Sequence, residues 1–153
     1  MKEEQFIAKI APLIAAAARE NGYAICSPAI AQACHESRFG DSSLSRKYHN
    51  YFGIKAGQVW DGPTVALLTK EEYIPGEITD ITDDFRVYET MEESVRDYYD
   101  FLTLPRYHNL KDAKTAQEYT ELIRQDGYAT DSSYVRKVMD IVKRYELERF
   151  DRK

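Results

Sequence analysis

Apolar residues recur with helical spacing at both ends of the chain and lose that spacing in the middle. Near the start, Phe6, Ile7, Ile10, Leu13, Ile14 and Ala17 fall on one face and predict an amphipathic helix ending near Asn21-Gly22. Ser27-Pro28 supplies an N-cap followed by proline at the first helical position, and Gly40 suits a left-handed stop. Between them Ile30, Ala31, Ala33 and Cys34 have the spacing of a helix packed into a core. Asp41-Ser42-Ser43 caps a short third helix to about Lys47. From Asn50 to Tyr88 glycines and prolines interrupt β-rich runs. There, Val65 to Tyr73 and Phe85 to Tyr88 read as strands, with Pro75-Gly76 as the turn between them. An antiparallel hairpin lobe of two or three strands follows.

Helix then returns. Thr90-Met91-Glu92-Glu93 is a capping box that opens a segment to about Leu104, which Pro105 closes. Lys114 to Arg124 forms another amphipathic helix ended near Gly127. Asp131-Ser132-Ser133 caps a last one, whose buried stripe is Val135, Val138, Met139, Val142 and Tyr145. The pattern predicts one α+β domain over residues 1–153, mostly helical, with a small antiparallel lobe at about 50–89. A cleft between two such lobes suits a long polymer, although a fold alone does not establish that use.

Composition narrows the partners. With 43% hydrophobic and 31% charged residues, the chain has the make-up of an ordinary globular protein. Its net charge of −5 disfavours nucleic acid and anionic membrane surfaces, while leaving polysaccharides open. Twelve tyrosines suit a saccharide groove and a small core with wet edges equally well. No run approaches the roughly 18 apolar residues of a membrane span. Ile10 to Ala18 resembles a signal core, yet Glu3 and Glu4 precede it and the helical spacing favours a folded first helix, so no export signal is visible. Cys26 and Cys34 are too few and too close for a disulfide framework and are expected to be reduced. The three histidines, 35, 49 and 108, lack ligand spacing, so neither metal nor other cofactor is expected.

The candidate chemistry centres on Glu36. It stands about one turn from the end of the second helix, where core packing gives way to a cleft. The negative end of the helix dipole disfavours its ionisation and raises its pKa, as a general acid requires. His35, about 100° away on the helix, is expected to be packed or exposed rather than catalytic. Arg38 would lower the acid's pKa if it pointed inward and is expected to face outward or toward another carboxylate.

Six blocks in order carry a resemblance to a known family. They are Ala31-Gln32-Ala33 through Glu36-Ser37 and Gly40 to Ser43-Leu44-Ser45, followed by Asn50-Tyr51-Phe52-Gly53-Ile54-Lys55. Then come Trp60-Asp61-Gly62 and Thr69 to Gly76, and after them Phe85-Arg86-Val87-Tyr88 with Ser94 and Asp97-Tyr98-Tyr99. Gly127-Tyr128-Ala129-Thr130-Asp131 with Tyr134 completes the set. Across about residues 5 to 150 the chain resembles the glucosaminidases of glycoside hydrolase family 73.

The resemblance implies a lysozyme-like fold and hydrolysis of the β-1,4 bond after N-acetylglucosamine in peptidoglycan. On that basis Glu36 matches the general acid. Glu72, in Glu72-Tyr73-Ile74-Pro75-Gly76, is the candidate second carboxylate, with Glu71 as its competitor because strand alternation sends only one of the two into the cleft. Tyr128 matches a tyrosine near the catalytic centre that can orient the substrate's acetamido group. Asn50, Phe52, Gly53 and Tyr134 match the substrate-binding edge, where Asn50 either bonds an N-acetyl group or braces the loop and Phe52 either stacks or anchors the core. Asp131 reads as a helix cap, and Trp60 as a plug of the β-lobe in preference to a sugar platform.

An inverting, a retaining and a substrate-assisted route all remain open at this stage. The resemblance departs at His35, where an apolar residue is usual, and at Arg38-Phe39-Gly40, where Gly-Trp-Gly is usual. The partners expected are glycan strands of the bacterial cell wall, in the periplasm or outside the cell, met by a monomer. Release by a holin or a secretion apparatus would deliver a chain made without a signal. A lytic transglycosylase and a non-catalytic wall-binding module are the rival readings.

Overall fold

The structure is a computed structural model that describes residues 2–152. Helix α1 (Lys2–Glu20) buries Phe6, Ile7, Ile10, Ala11, Ile14, Ala17 and Ala18, the face its spacing predicts. Helix α2 (Ser27–Ser37) is buried on almost every side, and α1 packs against it. Helices α5 (Ala116–Gln125) and α6 (Tyr134–Arg144) cover its other faces, and α4 (Met91–Phe101) packs on α1. A helix enclosed in this way must be built from small or apolar residues, which explains its run of alanines.

The cap of α2 comes from far away. Ser27 was expected to cap, but it is the first helical residue and Cys26 holds the cap position without a side-chain bond. The carboxylate of Asp151 does the work instead. Its Oδ1 accepts the backbone N–H groups of Cys26 and Ser27, each at 2.7 Å, and its Oδ2 accepts the Ser27 hydroxyl at 2.6 Å. An anion at this end also complements the helix dipole.

At the other end α2 stops at Ser37, short of Gly40. Arg38 and Phe39 take left-handed backbone with φ of 50° and 56°, and the Phe39 N–H reaches the Cys34 carbonyl at 2.8 Å. The Ser37 hydroxyl donates to the Ala33 carbonyl at 2.6 Å and accepts the Gly40 N–H at 2.8 Å, which closes the turn. Helix α3 (Ser43–Tyr48) follows, with Ser42 as its cap.

The β-lobe is a single hairpin of β1 (Thr64–Ile74) and β2 (Glu77–Arg86), antiparallel, with Thr69 opposite Ile81 and Glu71 opposite Thr79. A third strand is reduced to one bridge between Lys55 and Phe85. The second strand differs from expectation: it starts at Glu77 and ends at Arg86, whereas the sequence pointed to 85–88. The run Glu77 to Asp84 is polar and gives no apolar alternation, and its strand state comes from pairing with β1. Helix α4 ends at Phe101, three residues before the expected Leu104, and a 3-10 turn from Pro105 to Tyr107 follows. The whole is α+β, a helical lobe with a two-stranded antiparallel lobe over its cleft.

Candidate active site

A cleft of about 950 Å³ runs between the lobes, at the upper end of the range for ligand sites. Glu36 and His35 line it from α2, Gly53 and Lys55 from the α3–β1 connection, and Thr69, Glu71 and Tyr73 from β1. Phe101 ends α4, Arg106 and Tyr107 lie in the turn after it, and the segment Gly127 to Asp131 leads to Tyr134.

Glu36 is half-buried at the edge of the packed core, and its carboxyl pKa is pushed up to about 7. Burial is the main cause; the charges of Glu71 and Asp131 add to it, while the Tyr134 hydroxyl and Lys55 oppose it. Near neutral pH such a group holds its proton about half the time, so it can give one to a leaving oxygen. Arg38 is exposed and takes no part in that balance. His35 lies edge-on to Tyr134, ring centroids 5.7 Å apart, and burial lowers its pKa so that it stays neutral.

The residues around Glu36 are held from below by a buried hydrogen-bond chain. Gln32, one turn earlier on α2, donates from Nε2 to the Tyr134 hydroxyl at 2.9 Å. Its Oε1 accepts the Tyr98 hydroxyl at 2.5 Å, and Tyr98 in turn contacts the Tyr119 hydroxyl at 2.7 Å. One amide thus ties α2 to α4, α5 and α6 directly beneath the acid. Gln32 was quoted in the sequence motif but given no role; a polar residue inside an otherwise apolar helix is the signal that marks it.

Of the predicted substrate edge, Gly53 and Tyr134 line the cleft, as does the catalytic candidate Tyr128, whereas Asn50 and Phe52 stand behind it. Gly53 has a φ of +67°, and a Cβ there would lie 3.0 Å from Glu36 Oε1, so only glycine allows the loop to close against the acid. Asn50 braces that loop: its Nδ2 donates to the Ile54 and Arg86 carbonyls, both at 2.9 Å, and its Oδ1 accepts the Ile54 N–H at 3.2 Å. Phe52 is fully buried and stacks on Tyr98 with centroids 4.3 Å apart, and its carbonyl accepts the Tyr128 hydroxyl at 2.9 Å. With its proton committed there, the Tyr128 oxygen keeps its lone pairs free to accept.

The two adjacent glutamates of β1 part company. Glu71 turns into the cleft, where its Oε2 meets Lys55 Nζ at 2.7 Å and its Oε1 accepts the Thr130 hydroxyl at 2.7 Å. Glu72 points to the tip of the hairpin. Its Oε2 accepts the Gly76 N–H at 2.7 Å, and its Oε1 accepts the Ser132 N–H at 3.0 Å and the Ser132 hydroxyl at 3.3 Å. These bonds hold its carboxyl below its ordinary pKa. Its own N–H donates to Thr130 Oγ1 at 3.0 Å. The hairpin tip is therefore fastened across the cleft to the 130–132 segment, a pairing that the sequence did not reveal.

Asp131 was expected to cap α6, but Ser133 holds that position without a side-chain bond; Asp131 instead accepts the Ser133 N–H at 2.8 Å and pairs with Lys137 at 2.7 Å. Trp60 donates to the Pro63 carbonyl at 2.9 Å and packs edge-on to Tyr88, outside the cleft lining. Both cysteines are free and buried. Among the described residues no group of three or more His, Cys, Asp or Glu is placed to hold a metal ion, and no helix is long and apolar enough to cross a membrane.

Comparison with known proteins gives a consistent result. Residues 11–147 match the family described as mannosyl-glycoprotein endo-beta-N-acetylglucosaminidase. The peptidoglycan hydrolase FlgJ of Pseudomonas aeruginosa is 35% identical over 149 residues, which cover 94% of this chain and 37% of that protein. The exo-glucosaminidase LytG of Bacillus subtilis is 32% identical over 138 residues, covering 86% of this chain and 48% of LytG. The chain thus spans between a third and a half of the length of these relatives. The crystal structure of a peptidoglycan hydrolase mutant from Sphingomonas sp. A1 superposes with a TM-score of 0.82 at 29% identity, over 95% of this chain and 96% of that one.

Proposed function

The chain belongs to the mannosyl-glycoprotein endo-beta-N-acetylglucosaminidase family, and from that premise we propose that it hydrolyses the β-1,4 bond after N-acetylglucosamine in peptidoglycan, with Glu36 as the general acid. The place of action is the bacterial cell wall. The observation that carries this reading is the carboxyl of Glu36, raised to about 7 at the edge of a polymer-sized cleft.

Protonation of the glycosidic oxygen by Glu36 releases the leaving sugar as positive charge develops on the anomeric carbon. Tyr128 can accept the acetamido N–H through its free lone pairs and so aim the acetyl oxygen at that carbon, a substrate-assisted route. Glu72 is the proposed second carboxylate. Its depressed pKa keeps it ionised, as a base or a partner for the cation requires, and to serve it must release Ser132 as the hairpin tip moves. Glu71 has a different task in this scheme: with its charge near Glu36 it helps hold the acid protonated.

Mass spectrometry of digested peptidoglycan tests the reading. Reducing N-acetylglucosamine ends are expected, and Glu36→Gln should lower their release at least ~100-fold, the typical worth of a general acid. Anhydromuramyl products would make the chain a lytic transglycosylase, and equal clearing by wild type and Glu36→Gln would make it a non-catalytic module.

A further inference from the structure

Almost every charge that lines the cleft is neutralised by a neighbour. Lys55 meets Glu71 at 2.7 Å and Asp83 at 3.2 Å, Lys70 meets Asp80 at 2.8 Å, and Arg86 meets Asp97 at 2.9 Å. Asp131 meets Lys137 at 2.7 Å. Among the described Asp, Glu, Lys, Arg and His residues that line the cleft, only Glu36 and Arg106 have neither an ion pair nor the neutrality that burial gives His35. Glu36 has its use as the acid. Arg106 has none so far.

The setting of Arg106 is that of a held cation with its donors free. It follows Pro105 in the 3-10 turn after α4, and its guanidinium carbon lies 4.8 Å from the centroid of the Tyr107 ring and 5.8 Å from that of Phe101. Aromatic faces steady such a cation without cancelling its charge, and the planar N–H edge remains available for a bidentate carboxylate. Space is kept on its other side as well. Gly127 has a φ of +100°, and a Cβ there would lie 3.2 Å from Arg106 Nη1. The nearby Asp126 accepts the Asn109 amide at 3.3 Å instead of the guanidinium. In a protein of net charge −5, one unneutralised arginine in the substrate cleft is not background charge.

We propose that Arg106 is a specificity residue that reads a carboxylate carried beside the glycan chain. The proposal rests on the reading of the chain as a peptidoglycan hydrolase. N-Acetylglucosamine is neutral, so the carboxylate belongs to the muramic acid substituent: either an acidic group of the peptide stem, or the lactyl carboxylate of a residue stripped of its peptide.

Three substrates separate the cases: native peptidoglycan, peptidoglycan whose stem carboxylates are converted to amides with carbodiimide and ammonia, and glycan strands denuded by an amidase. Wild type should cleave the substrate that carries the free carboxylate, the native polymer for a stem group or the denuded strand for a lactyl group, with a kcat/KM about tenfold above the amidated polymer, and Arg106→Gln should abolish that preference through KM, the scale expected for one exposed charge-assisted contact. Arg106→Lys should restore part of it. A denuded strand cleaved about tenfold better than both peptide-bearing polymers, by a margin that Arg106→Gln removes, assigns the lactyl carboxylate, which the peptide caps as an amide in the native polymer; a denuded strand that behaves like the amidated polymer assigns the peptide stem. No preference in wild type, or one that survives Arg106→Gln, overturns the proposal while leaving the hydrolase reading intact. Failure of wild type to cut any of the three would sink the hydrolase reading itself.

Discussion

The two walls of the cleft are built on opposite principles. The helical wall under Glu36 is tightly enclosed: α2 is surrounded by other helices, Phe52 is fully buried, and Gln32 joins Tyr134 and Tyr98 and, through Tyr98, Tyr119. The hairpin wall has only two strands, and Leu68, Tyr73, Ile74 and Ile78 on it are at least 60% exposed. Its tip is held by hydrogen bonds to Thr130 and Ser132. A proton donor works only when its surroundings are fixed, because burial sets its pKa, so it is seated in the core. A group that must meet a polymer threading through the cleft belongs on an element that can lift, and so it rides on a two-stranded hairpin held to its surroundings by hydrogen bonds and ion pairs.

Breaking the helical wall should have the largest effect. Phe52→Ala removes a ring stacked on Tyr98 and is expected to cost about 4 kcal/mol of stability, measured by urea or thermal unfolding. A loss under about 1 kcal/mol would mean that the wall is far looser than its packing indicates.

The next effect is on the coupling between the walls and is read in the pH profile. Glu36 acts protonated, so kcat/KM should fall as pH rises through about 7. Glu71→Gln removes a negative charge that favours the protonated form and releases Lys55, which opposes it, so the alkaline limb should move to lower pH. Glu72→Gln should lower kcat by about tenfold or more and leave that limb in place, since its charge is not among the causes of the shift. A limb that moves with Glu72→Gln but not with Glu71→Gln would reverse the roles proposed for the pair.

The smallest effect tests the hairpin as a scaffold. Leu68 is 70% exposed, so Leu68→Thr should change stability by less than about 0.5 kcal/mol. A larger loss would show that the outer face of the hairpin is covered by something in solution.

Legibility followed the same division. Helices were readable because burial imposes a 3.6-residue period and because Thr90, Thr115 and Ser42 are local caps. The polar half of β2 was not, since its state depends on a partner strand and not on its own pattern. Glu36 could be singled out from its place near a helix end and from the ordered motifs. The division of labour between Glu71 and Glu72 could not, because it turns on which oxygen meets Lys55, Thr130 or Ser132, residues distant in sequence. Asn50 is instructive: the motif marked its position, and only the structure shows that its amide is spent on the backbone of Ile54 in the loop and of Arg86 in β2.

The cap on α2 has a consequence for the order in which the molecule is made. The helix that carries Glu36 is finished by Asp151, 124 residues after Ser27. Contacts of such sequence separation form late, because a long loop must close before they return anything. The ribosome delivers α2 well before Asp151, yet its first turn waits, with amides unanswered, until that distant residue folds back upon it. The acid's helix is thus made long before the group that caps it.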